Sequence, residues 1–228
     1  MPIYEIHKNS LWFPEAEHWS IDSDIIAIGG DLSAKRIMAA YEMGIFPWND
    51  PEGSLLWWHP LERAVLFPKQ VKISKSSRNI INRRKFRISF NEAFDQVMEI
   101  CKDIPRTDQE GSWITPDHQK SFGELHKQGH AHSVEAWIDD ELVGGLYGLS
   151  MGSVFFGESM FSKESNAGKI CFIYLAQRLA LYNFRMIDCQ VYNPYLGSLG
   201  AITISREAFL DELKQGLARE QKAYEVFA

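Results

Sequence analysis

Downstream of residue 130 the chain reads as three β-rich runs in direct succession, 132–138, 142–149 and 153–157, separated only by the turn signals Asp139-Asp140 and Met151-Gly152. A helical stretch over 166–182 follows, and then the short run Arg185-Met186-Ile187-Asp188-Cys189-Gln190. Upstream, 86–90 reads as a strand, Asn91 caps a helix striped by Phe94, Val97, Met98 and Cys101, and Thr115-Pro116 opens another helix with Phe122 and Leu125 inward. A last helix is expected over 206–220. Alternation of this kind specifies an α/β (α+β) domain, a mixed sheet flanked by helices.

The first sixty or so residues differ. They are rich in Trp, Pro and Gly, with one clear helix from Ser33 as N-cap through Ile37, Met38 and Tyr41 to Gly44. The rest of that stretch reads mostly as loop. The expected division is a small lobe over 1–62 and a main domain over 63–228. Trp48, Trp57 and Trp58 crowd into one segment of the lobe, where large rigid rings serve equally as a mini-core or as the wall of a binding site.

With 228 residues the chain can bury a real core, and its net charge of −6 argues against indiscriminate coating of nucleic acid. Yet between Glu62 and Glu92 no residue is acidic, while Arg63, Lys69, Lys72, Lys75, Arg78, Arg83, Arg84, Lys85 and Arg87 are all basic. In an acidic protein such a run reads as a footprint for a phosphate backbone. Cys101, Cys171 and Cys189 are odd in number and lack C-x-x-C spacing, so neither a disulfide framework nor a thiolate zinc site is expected, and a reducing compartment is. No apolar stretch approaches the roughly 20 residues of a membrane helix, and the N-terminus lacks a signal-peptide core, so the expectation is a soluble cytoplasmic protein.

Two positions carry the candidate chemistry. On a strand, Asp188 and Gln190 project to one face and Ile187 and Cys189 to the other; a carboxylate beside an amide can position a nucleophile or a carbonyl without metal or covalent intermediate. His126, His130 and His132 cross a helix end into a strand and read as structural rather than as metal ligands. Ala167-Gly168-Lys169 lacks the earlier glycine of a phosphate loop, and Gly144-Gly145-Leu146-Tyr147-Gly148 lies within a strand and is no dinucleotide fingerprint.

Ordered blocks from about residue 25 to 210 resemble one family. They are Gly29-Gly30-Asp31-Leu32-Ser33, Ala40-Tyr41, Gly44-Ile45-Phe46-Pro47-Trp48, Leu56-Trp57-Trp58, Ser112-Trp113-Ile114, His130-Ala131-His132-Ser133-Val134-Glu135, Leu142-Val143-Gly144-Gly145-Leu146-Tyr147-Gly148, Gly157-Glu158-Ser159-Met160-Phe161-Ser162, Ile187-Asp188-Cys189-Gln190 and Ser198-Leu199-Gly200-Ala201, and together they look like leucyl/phenylalanyl-tRNA-protein transferase. The resemblance implies an acetyltransferase-superfamily (GNAT-like) domain with a small N-terminal lobe. It also implies transfer of Leu or Phe, less readily Met, from aminoacyl-tRNA to the N-terminal Arg or Lys of acceptor proteins, marking them for N-end-rule degradation. No ATP, metal or coenzyme is implied, and no obligate oligomer.

By the same resemblance Asp188 and Gln190 are catalytic. Trp48, Trp113, Phe155, Gly157, Met160 and Leu175 form the side-chain pocket, Glu158 with Asp188 meets the acceptor terminus, and Lys69, Lys72, Lys75, Arg78, Arg83, Arg84 and Lys85 hold the tRNA. The family commonly carries His at the position of Tyr195 and Ser at that of Gly168. Two rivals stay open on the residues alone: an acyl-coenzyme A N-acetyltransferase, for which 163–169 lacks the expected pyrophosphate loop, and an inert tRNA-binding module, for which the basic run would suffice.

Overall fold

The computed structural model describes residues 3–50, 53–104, 113–219 and 223–227. Two sheets organise them. The smaller comprises β1 (Tyr4–Ile6), β2 (Ile25–Gly29), β3 (Phe46–Asn49) and β4 (Leu55–Trp58) in the order β1-β2-β4-β3, with helix α1 (Ala34–Glu42) between β2 and β3. The stretch expected to be mostly loop therefore holds a four-stranded sheet. Its strands are short, and Pro47 sits in edge strand β3, where a missing N–H is tolerated but where proline hides the strand pattern. Trp57 is fully buried in this sheet, edge-on to Phe13, with Nε1 donating to the Gly29 carbonyl at 2.9 Å.

The larger sheet takes β5 (Glu62–Leu66), then, after α2 (Lys75–Asn82), β6 (Arg87–Phe90). Helices α3 (Phe94–Asp103) and α4 (Pro116–Lys127) precede β7 (Ala131–Ile138), β8 (Glu141–Met151) and β9 (Val154–Ser162). Helix α5 (Ala167–Leu181) leads to β10 (Met186–Gln190), α6 (Pro194–Ser198), β11 (Ile202–Ser205) and α7 (Arg206–Leu217), with α8 (Ala223–Val226) last. Strand order is β11-β5-β10-β9-β8-β7-β6, antiparallel throughout except for the parallel pair β9/β10 that α5 connects. Mixed α/β architecture with flanking helices is thus what the chain adopts. Helix α7, expected over 206–220, ends at Leu217, and Glu220, like Ser112, lies outside the described residues.

Period-2 alternation feeds two cores. Val134, Ala136, Val143, Leu146 and Phe155 pack under α5, whereas Tyr147, Leu149, Val154, Phe156 and Phe161 pack on the opposite face with α3, α4 and the small sheet. Thr115 accepts from the His118 N–H, capping α4 as expected. Asn91 is not the cap of α3. It takes a left-handed φ of 58° and accepts the Ser133 N–H, pinning the loop to β7. Among the described residues no helix is long and apolar enough to cross a membrane.

Candidate active site

Strands β9 and β10 pair in register only from Val154↔Met186 to Phe156↔Asp188. Beyond that point β9 runs on to Ser162 while β10 ends, and the gap between them is a cavity of about 400 Å³. Its walls draw on both cores and on the small sheet: Trp48, Trp113 and Tyr147 from one side, Leu146, Phe155, Phe172, Leu175 and Ile187 from the other. All six residues expected for the side-chain pocket, Trp48, Trp113, Phe155, Gly157, Met160 and Leu175, line this one space. Trp48 is a wall and Trp57 is core, which separates the two roles the tryptophan cluster left open.

At its polar end, Glu158 Oε1 accepts the Tyr41 hydroxyl at 2.6 Å and the Gln190 Nε2 at 3.0 Å. Burial, then the nearby Asp188 charge, push the Glu158 carboxyl up to about 8, although both hydrogen bonds pull it down. Among the described residues Glu158 is the only charged side chain lining the cavity. Burial also raises the Cys189 thiol well above its usual range, so that wall residue is no nucleophile.

Asp188 stands elsewhere than the alternation implied. A β-bulge falls between Asp188 and Gln190 opposite Val65 and Ala64, and Gln190 takes a φ of 60°. The extra residue breaks the period, so Ile187, Cys189 and Gln190 all line the cavity, whereas Asp188 does not and is fully buried. Its carboxylate is bidentate on Arg63, 2.8 Å to Nε and 2.6 Å to an Nη, and its Oδ1 also accepts the Gln190 backbone N–H at 2.9 Å. Arg63 in turn lies between the Phe46 and Phe209 rings, at 4.6 and 4.4 Å. It belongs to this buried pair and not to the cationic face with which its sequence neighbours grouped it.

Tyr41 and Arg63 are the two neighbours of the site to which the sequence assigned no role there, although Tyr41 stands in one of the blocks that carry the resemblance. Tyr41 fits the apolar stripe of α1, and its hydroxyl carried no signal. Arg63 had one: a lone cation in the strand Glu62-Arg63-Ala64-Val65-Leu66 requires a carboxylate, and Asp188 is the lone anion in an equally apolar strand. The seven basic residues Lys69, Lys72, Lys75, Arg78, Arg83, Arg84 and Lys85 are all exposed. Lys85 is paired with Glu164 at 2.9 Å and Lys69 reaches Asn183 at 3.3 Å. The Lys72 backbone N–H donates to the Leu199 carbonyl at the end of α6, which brings the start of this stretch beside the short helix that carries cavity residues Tyr195 and Leu196.

Among the described residues no group of three His, Cys, Asp or Glu side chains is placed to hold a metal ion, and two of the three histidines are held by other contacts. His126 stacks on Phe94 and contacts the Ala131 carbonyl, and His132 stacks on Phe227 and contacts Asn91 and the Gly129 carbonyl. Tyr195 lies on the cavity rim under the Lys169 ammonium, 5.4 Å from its ring centre. At Gly168 a Cβ would stand 2.5 Å from the Phe161 carbonyl oxygen and 2.9 Å from Met160 Cγ. That glycine lets α5 sit directly on β9, and so sets how far Met160 enters the cavity.

The family model for leucyl/phenylalanyl-tRNA protein transferase matches residues 65–214, and that for its N-terminal domain matches residues 30–61. Among curated proteins, the leucyl/phenylalanyl-tRNA–protein transferase of Syntrophus aciditrophicus is 45% identical over 96% of this chain and 91% of its own. That of Flavobacterium johnsoniae is 47% identical over 93% and 99%. Of solved structures, L-PGS from Bacillus licheniformis aligns over 81% of this chain and 70% of its own at 12% identity and a TM-score of 0.45, too distant a likeness to carry weight. The match over 65–214 takes in most of the larger sheet and the point where β9 and β10 part, and the relatives cover nearly the whole chain: the chain belongs to the leucyl/phenylalanyl-tRNA protein transferase family.

Proposed function

We propose that this aminoacyltransferase moves Leu or Phe, less readily Met, from aminoacyl-tRNA to the N-terminal Arg or Lys of acceptor proteins, working as a cytoplasmic monomer and marking those proteins for N-end-rule degradation. The carrying observation is the cavity itself: apolar and aromatic walls that suit an unbranched-at-Cβ side chain, closed at one end by Gln190 and Glu158. Met160, a flexible thioether on the wall, suits side chains of differing shape. An aminoacyl ester is already activated, so its aminolysis needs positioning rather than ATP. Glu158 faces the cationic terminus, Gln190 orients the amine or ester carbonyl, and Asp188 acts as a positioning residue through the Gln190 backbone and Arg63. The exposed run from Lys69 to Lys85 takes the acceptor-stem phosphates.

The mixed sheet, with α5 crossing from β9 to β10, supports reading the larger unit as GNAT-like and the small four-stranded sheet as a separate lobe. The test is transfer of labelled phenylalanine from charged tRNA to a peptide beginning with Arg, beside one beginning with Ala. Label is expected on the Arg peptide and not on the Ala peptide. Transfer to neither, or to both alike, overturns the proposal.

A further inference from the structure

Tyr41 and Gln190 both donate to the same Glu158 oxygen, Oε1, and among the described residues nothing in the protein bonds to Oε2. The carboxylate is thus fixed by one oxygen and presents the other to the cavity that it lines. Gln190 is unsuited to removing a proton, because an amide is a very weak base and its NH₂ group is already committed to Glu158. Asp188 is unsuited because Arg63 and a backbone N–H occupy its oxygens away from the cavity.

We propose that Glu158 is the general base of the transfer, taking a proton on Oε2 from the α-ammonium of the acceptor. The inference rests on the functional reading above. The neutral nitrogen then attacks the ester carbonyl. The C–N bond forms, the bond from the carbonyl carbon to the tRNA ribose oxygen breaks, the second proton leaving nitrogen ends on that ribose oxygen, and Glu158 returns its proton to water. The groups facing Glu158 set its basicity: Tyr41 from α1, Asp188 and Gln190 from β10, and Arg63 from β5, with burial dominant. Their outcome, about 8, matches an α-amine of roughly 8, so one proton is shared between partners of near-equal affinity and passes at little cost.

The experiment is single-turnover transfer from Phe-tRNA to a saturating Arg-initiated peptide, followed against pH for the wild type and for Glu158→Gln. That variant keeps an oxygen for Tyr41 and Gln190, and retained Phe-tRNA binding reports a folded site. With the peptide bound, its ammonium favours the ionised carboxyl and draws Glu158 below its free-enzyme value of about 8, so the wild-type rate is expected to level off near neutrality, whereas the variant rate is roughly tenfold lower at about pH 7 and climbs about tenfold per unit to the amine's own pKa near ~8. A variant with a raised KM but the wild-type rate profile, or one whose loss alkali does not restore, overturns the base assignment. Absence of transfer by the wild type instead sinks the functional reading. Should Glu158→Gln not fold, Tyr41→Phe removes a hydrogen bond that holds the carboxyl down, so the acid limb must move upward; an unmoved limb is a refutation.

Discussion

The Asp188–Arg63 pair shows what a single residue can and cannot disclose. Asp188 and Gln190 stand out in sequence as polar residues in an apolar strand, but the partner that defines Asp188 lies 125 positions away, a separation no local pattern encodes. The bulge was equally hidden, because it arises from register against β5 and not from the composition of β10. Removing one member of a buried pair strands the other charge. Asp188→Asn is therefore expected to destabilise the fold by about 3–5 kcal/mol in urea unfolding. Replacing both residues with apolar ones, Arg63→Met with Asp188→Leu, is expected to recover most of that stability. The double variant should still transfer slowly with KM for Phe-tRNA little changed, because the Gln190 backbone has lost its acceptor. Full recovery of rate alongside stability would show that Asp188 does no positioning.

At the level of elements, the meander, α3 and α4 were legible by their periodicity, α4 also by its Thr115 cap, and α5 as a long, almost continuously apolar run. Strands β1 to β5 and β11 were not, being short, tryptophan- or proline-interrupted, or defined only by long-range partners such as Ile202↔Val65. The basic run was legible as charge but not as geometry, and the structure divides it. Arg87 is bound to Glu92 and Lys85 to Glu164, whereas Lys75 and Arg78 on α2, with Arg83 and Arg84 just past its end, are exposed. Each of Arg78→Gln, Arg83→Gln and Arg84→Gln that removes a phosphate contact should lower the slope of log affinity against log salt by about 1, for any tRNA sequence alike. Transfer at saturating tRNA should hold. Arg87→Gln, already neutralised by its own carboxylate, should leave the slope where it is. Equal effects from all four would mean that no particular surface holds the RNA.

Across the whole molecule, buried neutral histidines sit at the joints. His59 is packed between Trp19 of the segment before β2 and Phe209 of α7, His118 between Phe122 of α4 and Tyr147 of β8, and His132 against Phe227. Burial holds His118 down at about 3, His132 at about 4 and His59 well below the usual range. A histidine depressed in the folded state contributes stability above its unfolded pKa of roughly 6.5, and that contribution is lost as pH falls, because the unfolded chain binds the proton first. Glu158 works the other way: with its folded pKa raised, the native state holds a proton that the unfolded chain has released between 4.5 and about 8. Between about pH 6 and 5 the three histidines favour the unfolded chain and Glu158 opposes one of them, leaving about two protons and a loss of roughly 3 kcal/mol per pH unit. Glu158→Gln removes the opposing proton, so its profile should be steeper by about one proton through that window, and the variant should be more stable than the wild type near pH ~8. Urea unfolding across pH measures both slopes. A flat wild-type profile would mean that the three rings are solvated at the joints, and parallel profiles would mean that Glu158 carries no raised pKa and the proton it is assigned in catalysis is not there to be shared.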